Sequence, residues 1–145
     1  MFSNMLQPGK RPRVLGLYRN VDATSAMEGA SPHKLVGMVY DAVTGEIAAA
    51  RGALQRRDVA EKGRAIGRAV RLLQEGLMAP LDLEAGGEIA TNLRALYEYT
   101  VFRLTMGNLH SDDAALAECA DLMRTLSDSW AAIAPQVDVP ARAAA

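Results

Sequence analysis

Apolar residues return at three- and four-residue intervals along most of this chain, in four separate runs. The first run is Leu35, Met38, Val39, Ala42, Val43, Ile47, Ala50 and Leu54. That spacing places one stripe of a helix against a core. Its start is well marked, because Ser31 can accept from free backbone amides and Pro32 suits the first helical position, where no N–H is needed. The spacing predicts a helix over 32–55.

In the second run Ile66, Val70, Leu73 and Leu77 share a face flanked by Ala69 and Leu72, and Arg64, Arg68 and Arg71 lie on the other side. Asp58 with Glu61 three residues later resembles a capping box, with Asp in place of the usual Ser or Thr. Pro80 stops this helix near Met78, giving 59–78. The third run offers Ile89, Leu93, Leu96, Tyr97, Val101 and Leu104 as its buried side, with Tyr99 and Phe102 nearer the flanks. Gly107 and Asn108 are terminating residues, so the expected span is 87–108. In the fourth, Ser111 is the expected cap. Asp112 and Asp113 favour the positive end of the helix dipole, and Leu116, Cys119, Met123, Leu126, Trp130 and Ile133 carry a helix over 112–134 until Pro135.

Four helices of about 20–24 residues, each ~30–36 Å long and joined by short connections, predict an all-α, antiparallel four-helix bundle over 31–134. The stretch VGMVYDAV alone resembles a strand, but the longer helical period contains it. Residues 1–14, broken by Pro8, Gly9 and Pro12, read as a flexible tail, and 135–145 as another. Between tail and bundle, residues 15–30 form a leader that spends Leu15, Leu17, Tyr18 and Val21 outside any helical period. Such a segment suits a movable lid over an apolar groove.

Composition narrows the setting. The chain has 145 residues and a net charge of −1, which fits one domain and no general polyanion binder. Residues 1–30 hold four basic and two acidic groups, 31–80 eight and five, and 81–145 four and ten. Cys119 is the single cysteine, so no intrachain disulfide forms. In the opening residues the basic groups follow a short apolar portion, unlike a signal peptide, and no eighteen-residue apolar run exists. A cytoplasmic protein without membrane insertion is expected.

Catalytic chemistry is not apparent. The cluster His110 to Asp113 sits where cap residues belong, and His33 stands alone in a first helical turn. There is no HExxH and no Glu-x-x-His pair of the kind found in metal-binding bundles, so neither metal nor cofactor is expected. Cys119 lies on an apolar stripe as a small hydrophobe. Gly86 and Gly87 lack the spacing and lysine of a phosphate loop. Gly63 and Gly67 inside helix two each cost about 1 kcal/mol relative to alanine, which a close helix contact would offset; Gly37, Gly45 and Gly52 raise the same question. The belt from Arg51 to Arg71, with Arg64, Arg68 and Arg71 as its centre, could meet phosphates. It is offset by Asp58 and Glu61 and lacks interleaved aromatics, so a solvated face is the simpler reading.

From Tyr18 to Trp130 an ordered series resembles the flagellar secretion chaperones: YRNVDATSA at 18–26, ASPHKLVGMVYDAV at 30–43, AIGRAVRLLQEG at 65–76, GGEIATNLRALYEYTVFRL at 86–104 and SDSW at 127–130. The resemblance implies a non-enzymatic bundle that holds the C-terminal segment of flagellin as helix in apolar surface grooves, with a flagellar export-gate component as a further partner. By matching positions it implies Tyr18 as the leader tyrosine over a groove, Tyr40 with Asp41 as the aromatic–acidic pair of helix one, Tyr97 with Tyr99 as the paired tyrosines of helix three, and Trp130 as the late tryptophan. Tyr18, Tyr40, Leu93, Tyr97 and Leu104 are the candidate flagellin contacts, Leu15, Leu17, Tyr18 and Val21 the candidate leader cap, and Trp130 is expected to be structural. The run GLMAPLD at 76–82 and Gly63 depart from the family pattern around helix two. Two readings from other classes stay open: a regulatory or adaptor bundle with another protein client, and a nucleic-acid binder using the basic belt.

Overall fold

The computed structural model describes residues 29–133, and every element among them is helical. Helix α1 spans Pro32–Gln55, and Ser31 Oγ accepts the Lys34 amide at 3.1 Å. A tight turn follows, in which Arg57 takes a left-handed backbone with φ 59°. Helix α2 then runs Val59–Arg71, with Asp58 Oδ1 accepting the Glu61 amide at 3.1 Å. Helix α3 covers Leu83–His110 and helix α4 covers Asp113–Ala132.

Side-chain ties fix the directions. Arg51 near the end of α1 makes a two-pronged ion pair with Asp113 at the start of α4, at 2.9 and 3.0 Å. At the other end His33 Nε2–H donates to the Trp130 carbonyl while Trp130 Nε1–H donates to the His33 carbonyl, both at 2.7 Å, and the two rings stack 4.7 Å apart. So α1 and α4 are antiparallel neighbours. Glu46 on α1 bridges Arg64 and Arg68 on α2 at 3.1 and 2.9 Å. Helix α3 closes the ring between α2 and α4, diagonal to α1. The architecture is a four-helix bundle.

The interior follows the apolar stripes. Val39, Val43, Ile47 and Ala50 of α1 are fully enclosed, as are Ala65, Ala69, Leu72 and Leu73 from the second helix, Leu104 from α3, and Leu116 and Met123 from α4. Across the diagonal, the Tyr40 and Tyr97 hydroxyls meet at 2.5 Å. With these side chains and their neighbours taken out of water, hydrophobic burial dominates the stability.

Three local features differ from the spacing-based expectation. Beyond Arg71 the chain widens into a π-helix over Leu72–Met78, closed by the Ala79 amide on the Gln74 carbonyl at 2.9 Å. The wider turn lets the adjacent Leu72 and Leu73, together with Leu77, all reach the interior. Helix α3 begins at Leu83, four residues before the expected start. Asp82 caps it, and it breaks at Gly87, whose φ of 57° and ψ of −136° suit glycine alone. Finally, α3 runs past Gly107 and Asn108 to His110. Ser111 is not the cap of α4 but the left-handed residue that ends α3, and Asp112 Oδ1 caps α4 by accepting the Ala114 amide at 3.0 Å.

The reason α3 ignores Gly107 is packing. A Cβ there would lie 2.8 Å from Leu116 Cδ2, so this glycine allows α4 to approach rather than ending the helix. Lys62 completes the junction. Its Nζ, on a side chain carried by a residue only 5% exposed, donates to the Asn108 carbonyl at 3.1 Å and to Ser111 Oγ at 2.6 Å. A cation at the carbonyl end of α3 also meets the negative end of its dipole. By contrast Gly45, Gly63 and Gly67 have nothing within 4 Å of a would-be Cβ, so no close helix contact offsets them.

Candidate functional site

The large apolar side chains left in solvent are concentrated on one helix. Ile89, Tyr99, Phe102 and Leu109 of α3 are 45, 43, 56 and 69% exposed, and Leu93, Leu96 and Met106 are half-buried. These seven fall at intervals of three or four residues, from 89 to 109. Their mean interval, about 3.3 residues, is shorter than the 3.6 of a helical turn, so the series shifts by roughly 27° per step. It therefore winds from the edge of the core out into solvent, and forms a strip about 30 Å long.

Helix α4 lies alongside. Glu118 reaches α3, accepting from the Tyr99 hydroxyl at 2.5 Å and from Arg103 Nε at 2.6 Å. Four and eight residues on, Leu122 and Leu126 continue the same edge of α4 and are half-buried. Helix α4 therefore borders the strip on one side, where Tyr99 and Arg103 meet Glu118 and where Gly107 lies against Leu116. The tie is strongly polarised: donation to Glu118 holds the Tyr99 proton above the usual phenol range, and donation from Tyr99, then Arg103, holds the Glu118 carboxyl below the usual carboxylate range.

Such a surface can take the apolar side of an amphipathic helix, the recognition mode in which anchors at i, i+3, i+4 and i+7 fill a groove. Two surface recesses, of about 560 and 430 Å³, lie elsewhere. One is at the α2–α3 turn around Met78, Asp82 and Arg94, and the other is at the opposite end around Leu54, Val59 and Lys62. Among the described residues no group of three or more His, Cys, Asp or Glu is placed to hold a metal, and no helix is long and apolar enough to cross a membrane.

The expected contact residues divide. Of the expected flagellin contacts, Tyr40 and Tyr97 are 2% exposed and Leu104 is fully enclosed. The hydroxyl pair needs both rings inside, and Leu104 packs on the same inward line of α3 as Tyr97, seven residues away. They support the surface from beneath. Leu93 is half-buried against the core and reaches the strip. Tyr18, and with it Leu15, Leu17 and Val21, lies outside the described residues. Tyr99 and Phe102, which the spacing puts near the flanks, are the most central exposed side chains of the strip, and Met106, Leu109 and Leu122 extend the apolar surface beyond the residues that the spacing marks. The signal that finds them is the second, faster apolar series on α3.

The basic belt is largely spent on neighbours. Arg64 pairs with Glu46 and Glu61, Arg68 with Glu46, and Arg71 with Glu75. Arg64 is held further in its charged form by these carboxylates, Glu61 first. The belt is an ion-paired face of the bundle.

Comparison with known proteins agrees with this picture. The profile of the family described as flagellar protein FliS matches residues 15–137. The chain is 40% identical over 119 residues to the flagellar secretion chaperone FliS of Salmonella typhimurium, covering 82% of this chain and 88% of that protein. It is 36% identical over 118 residues to the flagellar secretion chaperone FliSB of Pseudomonas aeruginosa, covering 81 and 93%. The Escherichia coli K12 chaperone FliS gives 35% over 113 residues, covering 78 and 83%. The bundle, its exposed apolar strip and these matches lead to one assignment: the chain belongs to the FliS family of flagellar secretion chaperones.

Proposed function

We propose that this protein binds the C-terminal segment of flagellin in the cytoplasm, keeps it from polymerising, and hands it to the flagellar export gate. The observation that carries the reading is the exposed apolar strip of α3 bordered by α4, about 30 Å of apolar surface that the bundle's own interior does not consume. A disordered client segment that becomes helical there covers its assembly surface, and the ordering it undergoes lowers net affinity enough for release. Leu93, Leu96, Tyr99 and Phe102 are the central anchors in this scheme. Tyr40, Tyr97 and Leu104 hold the floor in shape. The leader residues Leu15, Leu17, Tyr18 and Val21 cover the empty strip, so a client must displace them and apparent affinity falls by the uncovered fraction.

The test is a stoichiometric pull-down and calorimetric titration against the host's flagellin, full length and lacking its C-terminal segment. Binding is expected only to the full-length protein. Phe102→Ser, at a side chain 56% exposed, should weaken it by about tenfold or more with the fold intact. Deleting residues 1–21 should expose more apolar surface to a reporter dye and raise affinity. Equal binding of the two flagellins overturns the assignment of the docking element, and an unchanged truncation overturns the lid.

A further inference from the structure

A recess of about 430 Å³ opens where the α1–α2 turn meets the α3–α4 junction, at the end of the bundle opposite the His33–Trp130 latch. Leu54, half-buried, and Val59, 73% exposed, supply its apolar wall. Lys62 lines it too. That residue is 5% exposed, and no carboxylate among the described residues stands within 4.0 Å of its ammonium. An ammonium carries three protons. Two are taken, by the Asn108 carbonyl at 3.1 Å and by Ser111 Oγ at 2.6 Å. The third has no acceptor among the described residues. Ser111 also lines the recess, and because its oxygen accepts from Lys62 it keeps its own hydroxyl proton to give. A largely buried charge met only by neutral groups is costly, so a counter-charge here gains more than on open surface. The remaining charged walls are Arg57, which has no ion pair among the described residues, and Asp58, whose Oδ1 accepts the Glu61 amide. Two cations therefore stand against one anion.

We propose that this recess captures the C-terminal carboxylate of a polypeptide whose last side chain is apolar. One carboxylate oxygen accepts the third ammonium proton of Lys62 and the other accepts the Ser111 hydroxyl, while the apolar side chain lies on Leu54 and Val59. The wall decides between anions. An inorganic anion would leave Leu54 and Val59 uncovered, whereas a carboxylate brings its own hydrocarbon. It also decides between acids. A pocket that holds a free small molecule covers most of its surface, and a wall as exposed as Val59 does not. A chain terminus is held in addition by the residues that precede it. The site is separate from the α3 strip and needs neither Tyr99 nor Phe102.

The experiment follows amide shifts of the nitrogen-15-labelled full chain. The probes are an acetylated peptide ending in Ala-Leu, as the free acid and as the C-terminal amide, and octanoate. The free acid should shift the Val59 and Ser111 amides and bind about tenfold more tightly than the amide, the ratio expected for losing a hydrogen bond to a charged group. Lys62→Met should abolish that preference. Because it also strands the Asn108 carbonyl, its fold is checked by circular dichroism, and Val59→Glu supplies an independent arm at an exposed position. The added carboxylate at the mouth should weaken the free acid about fivefold and leave the amide nearly unchanged. Phe102→Ser should change neither. Equal affinity of acid and amide, or a preference that survives both Lys62→Met and Val59→Glu, overturns the carboxylate site. Octanoate binding where the free-acid peptide does not overturns the polypeptide terminus as occupant. Weakening of the free acid by Phe102→Ser overturns the placement.

Discussion

Removing a single oxygen at Tyr97 tests how the interior beneath the strip is held. The Tyr40 and Tyr97 hydroxyls lie 2.5 Å apart, each on a residue 2% exposed, and the rings pack 6.4 Å apart at a 54° tilt. One hydroxyl donates to the other. Tyr97→Phe keeps the ring and deletes the partner, so the Tyr40 hydroxyl is stranded. The lost bond is worth about 1 kcal/mol net, and the stranded polar group costs a further ~1–3 kcal/mol, so a destabilisation of about 2–4 kcal/mol is expected. Tyr40→Phe should behave alike. The double variant leaves nothing stranded and should cost no more than either single change, giving a coupling of about 2 kcal/mol. Urea unfolding followed by helical circular dichroism measures each term, with the slope checked for constancy.

The same pair predicts a pH signature. Burial, the largest cause in both cases, raises both phenol values above the ordinary 10.0. The folded state therefore keeps protons that the unfolded chain has released. Stability is fully present below pH 10 and falls as pH rises through the folded values, by about 1.4 kcal/mol per unit for each tyrosine. Tyr97→Phe should remove one of these contributions. Additive single variants, within about 0.5 kcal/mol, together with an unchanged alkaline slope, would refute the reasoning.

Other expectations can be checked on the same material. Gly63→Ala and Gly67→Ala meet open space on a helix, so each should stabilise by roughly 0.5–1 kcal/mol in urea titration. Gly107→Ala puts a methyl 2.8 Å from Leu116 Cδ2 and should destabilise by about 1–3 kcal/mol while loosening α3 from α4. Lys62→Met keeps the stem but leaves the Asn108 carbonyl and Ser111 hydroxyl without their donor, with a cost of about 1–3 kcal/mol by thermal melting. Cys119, 1% exposed and with its thiol pushed up to about 12 by burial, should react with a disulfide reagent at pH 8 only after denaturant is added.

Much of the scaffold is legible along the chain because its determinants are local. Ser31–Pro32 and Asp58–Glu61 are start signals whose atoms lie within four residues of each other, and the structure uses them as caps. The α3–α4 junction is harder to read. Ser111, Asp112 and Asp113 can each cap a helix, and what selects Asp112 is a distant lysine drawing Ser111 and the end of α3 together. Gly107 carries the same ambiguity, since a stop signal and a close-approach position look identical until Leu116 is known to sit against it. The site shows the sharpest limit. Spacing placed Ile89, Leu93, Leu96 and Tyr97 on one buried side, because any three- or four-residue interval counts as helical. Only Tyr97 is enclosed, and the series through Tyr99, Phe102, Met106 and Leu109 drifts outward step by step. Distinguishing an inward tyrosine from its neighbour two residues on requires the partner hydroxyl of Tyr40, which lies 57 positions away.

The reciprocal latch between His33 and Trp130 has a temporal consequence during synthesis. These residues stand 97 positions apart, so the first helix leaves the ribosome well before the side chain that seals it exists. At about 5–20 residues per second, the delay is roughly 5–20 seconds. During that interval the nascent chain shows uncovered greasy residues of its own, and a truncated product ending before Trp130 would keep showing them. A protein that shields others from premature association is itself, while being made, in need of shielding.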